Sequence, residues 1–309
     1  MKDFKGKTAF ITGGASGIGL GIAKACAKRQ MNTVIADFRQ EAIDEALPIF
    51  KEKGWPVLGV LLDVTDRFAF AKAADEAEAV FGKIHVLVNN AGIGLREGKI
   101  WEASYDDMDF AIDINYKSVL NGIKTIVPRI LSHGEGGHVV TTSSKNGLIP
   151  LPGMVLYNST KRAVMAIMET LAIDLKGTGV GASVFCPGPF KTNLNTTTNE
   201  LRTKVLGAPF KPAAPMPKPD LDMSKIDFSK LERSADEAGE RVLRGIERGD
   251  LFILSHSEWK PGWEAHAAAV TRAFPEEAPD ETFMQVFRLN TYNPIYDEQT
   301  QVPAYKKDE

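Results

Sequence analysis

Short runs that are apolar at nearly every position alternate along the chain with longer stretches whose apolar residues recur every three or four positions. The runs are TAFIT (8–12), NTVIAD (32–37), VLGVLLDV (57–64), IHVLVNN (84–90), HVVTTSS (138–144), VGASVFC (180–186) and LFILS (251–255). A strand that is apolar on successive residues is covered on both faces, which is the signature of a parallel sheet between helical layers. The helical stretches include GLGIAKACAKR, QEAIDEALPIFKEKG, a segment near 66–81, a long one near 104–132 and one that begins near Leu156. Connections of that length are the crossovers that parallel neighbours need. The pattern therefore predicts an α/β fold, a doubly wound parallel sheet of about seven strands in three αβα layers.

The alternation breaks after residue 190. NLNTTTNE and then GAPFKPAAPMPKPD (207–220), with five prolines, read as irregular, because proline fixes φ and removes a backbone donor. The segment 193–234 is expected to be a substrate loop, with 207–220 as its lid. Helices are expected near 235–249 and 258–274, with an irregular tail, YNPIYDEQTQVPAYKKDE (292–309). One domain of residues 1–309 results, with a core over 5–192 and the last helix, last strand and a C-terminal extension over 235–309.

Composition narrows the function. The 37 basic and 40 acidic residues give a formal charge of −3 with no basic run, so no nucleic-acid partner is expected. No apolar stretch approaches the length of a membrane span. Cys26 and Cys186 are the only cysteines, which points to a reducing, cytoplasmic setting. The sequons at Asn158 and Asn195 then read as chance matches. His85, His133, His138, His256 and His266 show no metal-ligand spacing, and no metal is expected.

TGGASGIGLGIA (12–23) follows the first predicted strand and opens the first predicted helix. Gly13, Gly17 and Gly19 let the backbone turn and approach a ligand closely, while the helix N-terminus presents free N–H groups to a pyrophosphate. The strand before and the helix after make this a dinucleotide site of the Rossmann type. No Lys-Ser/Thr follows the glycines, which argues against a mononucleotide P-loop, and Ile18 occupies the place a nucleophile elbow around Ser16 would give to glycine. Asp37 ends the second strand, where a carboxylate accepts from both ribose hydroxyls and repels a 2′-phosphate. NAD is thus expected, with NADP less favoured, although Arg39 nearby is a basic group.

YNSTK (157–161) places Tyr157 and Lys161 one helical turn apart on a common face. Such a pair is common on amphipathic helices and carries little alone. With TGGASGIG, DV (63–64), NNAG (89–92), Asn115 in DINYKSV, TTSS (141–144) and PGPFKT (187–192), however, the chain resembles the short-chain dehydrogenase/reductase family from residue 7 to about 192. The resemblance implies that Tyr157 is a general acid/base whose phenol must come down from about 10 toward neutrality. It implies that Lys161 and the oxidised cofactor supply that change, that Ser144 holds the substrate oxygen, and that Asn115 completes a proton relay. It assigns Ser16, Ile18, Asp63, Val64, Asn90, Ala91 and Gly92 to cofactor binding, with Asp63 and Val64 at the adenine. Pro187, Gly188, Phe190 and Thr192 go to the nicotinamide end, together with Tyr157 and Lys161. Phe190 stands where the family usually has a small aliphatic residue.

LIPLPGMVL (148–156) is almost wholly apolar, so a greasy pocket wall is expected there. Phe210, Trp259 and Trp263 are candidates to close over an aromatic ligand, or to be core. The start of the chain, ADFRQ, PGPFK and LFILSHSEW also resemble bacterial Cα-dehydrogenases of lignin-type β-aryl ethers. The implied reaction is NAD-dependent interconversion of a secondary alcohol and a ketone on a bulky hydrophobic, benzylic compound, by a homodimer or homotetramer. The rival readings are a steroid or other alicyclic hydroxyl dehydrogenase, and an NAD-sensing protein that has lost catalysis.

Overall fold

The computed structural model describes residues 1–210, Asp227 and 231–306. Seven strands form one parallel sheet: β1 (Thr8–Thr12), β2 (Asn32–Asp37), β3 (Val57–Leu61), β4 (Val86–Asn89), β5 (Gly137–Thr142), β6 (Val180–Cys186) and β7 (Phe252–Leu254). Their order is β3-β2-β1-β4-β5-β6-β7. The chain winds outward from β1 through β2 to β3, then returns to the other side of β1 with β4. That reversal opens a crevice at the carboxyl ends of β1 and β4.

Adjacent strand residues point to opposite faces, and here both faces are covered. Ile11, Ile35 and Val88 face a layer formed by α1 (Gly17–Lys28), α2 (Gln40–Lys51) and α9 (Ala235–Arg248), through Ile22, Ile43, Phe50, Val242 and Ile246. Phe10, Val34, Leu87 and Val139 face α3 (Arg67–Phe81), α5 (Ser118–His133) and α7 (Val155–Asp174), through Phe70, Ile126, Ile130, Met165 and Met168. This is the double-sided burial that the unbroken apolar runs predict.

Two departures from the expected pattern matter for function. The long helix near 104–132 is α4 (Tyr105–Ile112) joined to α5 by a π-turn over Asp113–Lys117, which carries Asn115. The segment starting at NLNTTTNE is not irregular: α8 runs Leu194–Leu206 and stops at Gly207, φ 77°. Its threonines argue against helix by propensity, but Thr198 is buried, accepting from Gly94 N at 3.0 Å and donating to Leu194 O at 2.7 Å. Packing decides the conformation there. The rest of the expected lid, beyond Phe210, lies outside the described residues.

Two short helices precede the expected tail, which begins at Tyr292 and is irregular as far as Lys306 except for one 3₁₀ turn. After α10 (Lys260–Thr271) come α11 (Glu281–Val286), α12 (Arg288–Thr291) and a 3₁₀ turn at Pro294–Tyr296. Tyr296 stacks on Phe252 at 6.4 Å, and the Gln299 side chain accepts from Phe252 N and donates to Phe252 O. One side-chain amide thus pairs with the edge strand where a further strand would otherwise add. Among the described residues no helix is long and apolar enough to cross a membrane.

Candidate active site

The crevice is a cleft of about 540 Å³ that runs from Asp37 to Tyr157, a volume typical of ligand sites. At one end lies the glycine-rich turn. Gly13 and Gly17 take φ of 60° and 51°, which an L side chain adopts only with strain. Gly19 does not line the cleft but is buried beneath it, where a Cβ would stand 2.0 Å from Gly13 O. Ser16 precedes α1, and its Oγ accepts from Arg39 Nη2 at 2.9 Å.

Asp37 is buried at the end of β2, with its carboxylate accepting from Ala15 N at 3.3 Å and Arg39 N at 3.2 Å. The Arg39 guanidinium lies 3.6 Å from the same carboxylate. The basic group expected to compete with Asp37 is therefore paired with it. Asp63 and Val64 line the same end, where Asp63 accepts from Thr65 N and Oγ1.

Asn90, Ala91 and Gly92 form the floor. The Asn90 amide donates to Thr12 O at 3.1 Å and Gly13 O at 3.2 Å and accepts from Thr142 Oγ1 at 3.2 Å. It joins the ends of β1, β4 and β5, so its side chain supports the floor rather than reaching into the cleft. Asn115 is 1% exposed and lies behind the wall. Its Oδ1 accepts from Ile93 N at 2.9 Å and its Nδ2 donates to Ile93 O at 3.1 Å. Asn115 Oδ1 and Lys161 Nζ lie 3.0 and 3.1 Å from the point a Cβ on Gly92 would occupy, so Gly92 keeps the two polar atoms close to a shared gap.

Ser144, Tyr157 and Lys161 meet at the other end. Lys161 Nζ lies 5.7 Å from the centre of the Tyr157 ring, as one helical turn requires. Burial pushes the Tyr157 phenol above its usual range, and a hydrogen bond with Ser144 opposes that rise. Burial lowers the Lys161 amine to about 8, with the Cys186 thiol acting weakly in the other direction. Without a bound cofactor, then, the pair is set opposite to its expected working state. Ser143 and Ser144 separate as neighbouring positions should: Ser143 Oγ donates to Lys161 O at 2.6 Å, whereas Ser144 Oγ caps α6 (Lys145–Leu148) through Asn146 N at 3.1 Å.

The nicotinamide-side set splits by depth. Pro187 and Gly188 line the cleft, and Thr192 packs against Gly17, whose Cβ would meet Thr192 Cγ2 at 3.2 Å. Phe190 also lines it but is 6% exposed, its ring resting on Phe185 and His256. Its bulk is absorbed by the core behind the wall.

The apolar wall is not where LIPLPGMVL places it. Leu148 packs into the core beneath α7, and no residue of 148–156 lines the cleft. Ile93, Phe110, Ile114, Leu194, Leu201 and Leu206 provide the wall instead, from the loop after β4, α4, the π-turn and α8. Phe210, Trp259 and Trp263 stand outside the cleft; Trp259 lies under Lys145 Nζ at 5.0 Å, and Trp263 stacks on His266 at 5.4 Å. A stripe at Leu194, Thr198, Leu201 and Val205 is the sequence signal for α8 that its threonines obscure.

The fold also gathers His85, His133 and Glu135, whose ligand atoms fall within 4.8 Å of one another. All are committed to protein partners. His85 accepts from Thr8 N and pairs with Glu135, His133 bonds Ile84 O and accepts from Glu135 N, and the carboxylate also holds Lys7 and Lys83.

Known proteins similar to this chain identify its family. The family described as short chain dehydrogenase matches residues 7–203. A C alpha-dehydrogenase of Sphingobium sp. (strain NBRC 103272 / SYK-6) is 34% identical over 270 residues, 87% of each chain. A CLA biosynthesis dehydrogenase/reductase of Lactiplantibacillus plantarum is 31% identical, over 92% of this chain and 99% of the relative. A short chain dehydrogenase/reductase of Burkholderia phymatum, solved in complex with NAD, is 29% identical with a TM-score of 0.78, over 91% of this chain and 100% of that one. A glycine-rich cradle at the sheet's reversal, a Tyr-Lys pair at its far end and these matches lead to one conclusion: the chain belongs to the short-chain dehydrogenase family and is an oxidoreductase of that family, which uses NAD(P).

Proposed function

We propose that the protein interconverts a secondary alcohol and a ketone with NAD, on a bulky hydrophobic, benzylic substrate, with Tyr157 as general acid/base. The observation that carries this reading is the meeting of Ser144, Tyr157 and Lys161 at one end of a cleft whose other end is the glycine turn and Asp37.

The residues present fit a dinucleotide. The positive-φ glycines 13 and 17, whose turn packs directly on Gly19, suit a pyrophosphate over the N-terminus of α1. The Asp37 carboxylate, buried and already paired with Arg39, favours ribose hydroxyls over a 2′-phosphate. When bound, NAD would accept the hydride and bring a positive ring beside Tyr157.

The chain's own residues do the rest. Ser144 Oγ and the Tyr157 hydroxyl are hydrogen-bond partners, so a substrate oxygen between them meets two donors as charge develops on it. Tyr157 takes the alcohol proton or returns it to the ketone. Lys161, held by its bond to Thr142 O at 3.1 Å, keeps a cation one turn from the phenol and favours the phenolate. Asn115 fixes the Ile93 backbone and thereby the wall beside Gly92, within reach of a relay from Lys161. Phe110, Ile114, Leu194 and Leu201 receive the apolar body of the substrate. The likeness to a C alpha-dehydrogenase supports the benzylic class.

The same reading places the protein in the cytoplasm, both cysteines being unpaired and buried. It makes the protein a homodimer or homotetramer through α5 and α7, where Leu120, Leu131 and Ile173 are exposed. Light scattering on the eluting species reads the assembly directly.

The test is near-ultraviolet absorbance of reduced nicotinamide with NAD and a benzylic secondary alcohol, against cyclohexanol and against NADP. Turnover with the benzylic alcohol and NAD should exceed both comparators. Tyr157→Phe should lower kcat by ~10³-fold or more while NAD affinity stays within ~3-fold. Preference for cyclohexanol would favour the alicyclic reading, and NAD binding without turnover of any alcohol would favour a sensor.

A further inference from the structure

LFILSHSEW ends at residues that the cleft does not use, yet two of them stand directly behind its wall. Ser255 and His256 follow β7 at its carboxyl end, and neither lines the cleft. Gly188 N donates to Ser255 Oγ at 3.0 Å, and Ser255 Oγ lies 2.6 Å from His256 Nδ1. Ser255 is 3% exposed, so water does not compete for its hydroxyl.

The His256 ring fills the place that a side chain on residue 188 would take. A Cβ there would stand 2.6 Å from Nδ1 and 2.8 Å from Cε1. The same ring meets Phe190 edge-on, with centroids 5.7 Å apart at 88°, and Phe190 rests in turn on Phe185 at 6.2 Å. Trp259 lies near the imidazole at 6.2 Å. Gly188 and Phe190, two residues apart on the cleft wall, are therefore held from behind by one imidazole and one hydroxyl.

We propose that Ser255 and His256 are positioning residues that hold the Pro187–Phe190 wall against the nicotinamide end of the cleft, setting dinucleotide affinity without touching the dinucleotide. The inference rests on the dinucleotide reading given above. An error of about 1 Å in such a wall is enough to lower rate and affinity substantially. A hydrogen bond to a wall amide, combined with a ring filling the glycine's open side, suppresses that displacement.

The test uses the full chain as wild type, Ser255→Ala, His256→Ala, Gly188→Ala and the double variant Gly188→Ala/His256→Ala. NAD dissociation constants come from calorimetry, and unfolding temperatures are measured without cofactor. Ser255→Ala removes one hydroxyl and no bulk, so it reports on binding even if the larger change at His256 disturbs folding. Both single changes behind the wall should weaken NAD binding ~10-fold or more, with the Ser255→Ala unfolding temperature lower than that of wild type by only a few degrees, about the effect of one unpaired buried N–H. Gly188→Ala should weaken binding further, because its methyl meets the ring, and the double variant should bind NAD more tightly than Gly188→Ala alone. Wild-type affinity in both Ser255→Ala and His256→Ala, or a double variant that loses the product of the single losses, overturns the proposal. Failure of the wild type to bind NAD instead overturns the dinucleotide reading on which the proposal stands.

Discussion

Lys161 Nζ donates to the carbonyl of Thr142 at 3.1 Å, tying α7 to the last residue of β5 with no carboxylate beside the amine among the described residues. An unpaired ammonium 5% exposed is an expensive feature for a fold. The proposed function gives it a use: a cation one turn from Tyr157 would favour the phenolate.

This arrangement predicts a stability effect with a definite pH window. Burial lowers the amine from 10.5 to about 8, so the folded state binds its proton less readily than the unfolded chain. The penalty is full below about pH 8, diminishes as pH rises from 8 to 10.5, and is absent above that. Lys161→Met should therefore abolish turnover yet raise the unfolding free energy at pH 7, by on the order of 1–3 kcal/mol after the lost bond to Thr142 is counted. Urea denaturation at pH 7 and pH 10 checks it: the variant's advantage should shrink at the higher pH, and a variant less stable than wild type at pH 7 contradicts it.

Gly19→Ala should separate close approach from conformational strain. Its Cβ would meet Gly13 O at 2.0 Å and Asn90 Nδ2 at 2.6 Å, both fixed parts of the cradle. The expected result is a loss of ~2–4 kcal/mol of stability and of ~100-fold or more in NAD affinity. Gly54, with φ of 65° and open space around it, is the comparison. Gly54→Ala should cost ~1 kcal/mol and leave calorimetric NAD binding unchanged.

Much of this architecture is legible in the sequence, because burial on both faces leaves unbroken apolar runs such as TAFIT and NTVIAD, and β1, β2 and β6 begin and end where those runs do. The glycine turn and the Tyr-Lys spacing are legible for a related reason: local geometry fixes them within a few residues. What is obscured depends on distant partners. Thr198 becomes helical because Gly94, over a hundred positions away, donates to it. The wall moves from Leu148 to Leu194 and Leu201 because α8 lies across the cleft, and the π-turn at Asn115 leaves no trace in apolar spacing.

Glu97 is another long-range contribution. Met154, at the N-cap of α7, offers no side-chain bond, and Glu97 Oε1 instead accepts from Leu156 N at 2.8 Å. Burial raises the Glu97 carboxyl above its usual range, opposed by backbone N–H bonds from α7. A folded pKa above the unfolded one makes this group's contribution largest at acid pH, and the contribution declines as pH rises through the folded value. The charge is thus not needed for the cap. Glu97→Ala should cost ~1 kcal/mol at pH 7, while Glu97→Gln, which keeps the acceptor, should match wild type in urea denaturation. Equal losses in the two variants would show that the negative charge itself holds the helix.

The central claim is that Tyr157, raised by burial in the protein alone, becomes acidic enough for proton transfer once NAD lies beside it and Lys161. Phenolate absorbance, taken as the difference between wild type and Tyr157→Phe across a pH titration, isolates this one ring. The account predicts that Tyr157 titrates above a free phenol without NAD and moves downward, toward neutrality, when NAD saturates the protein. A Tyr157 that titrates at the same or higher pH with NAD bound contradicts it.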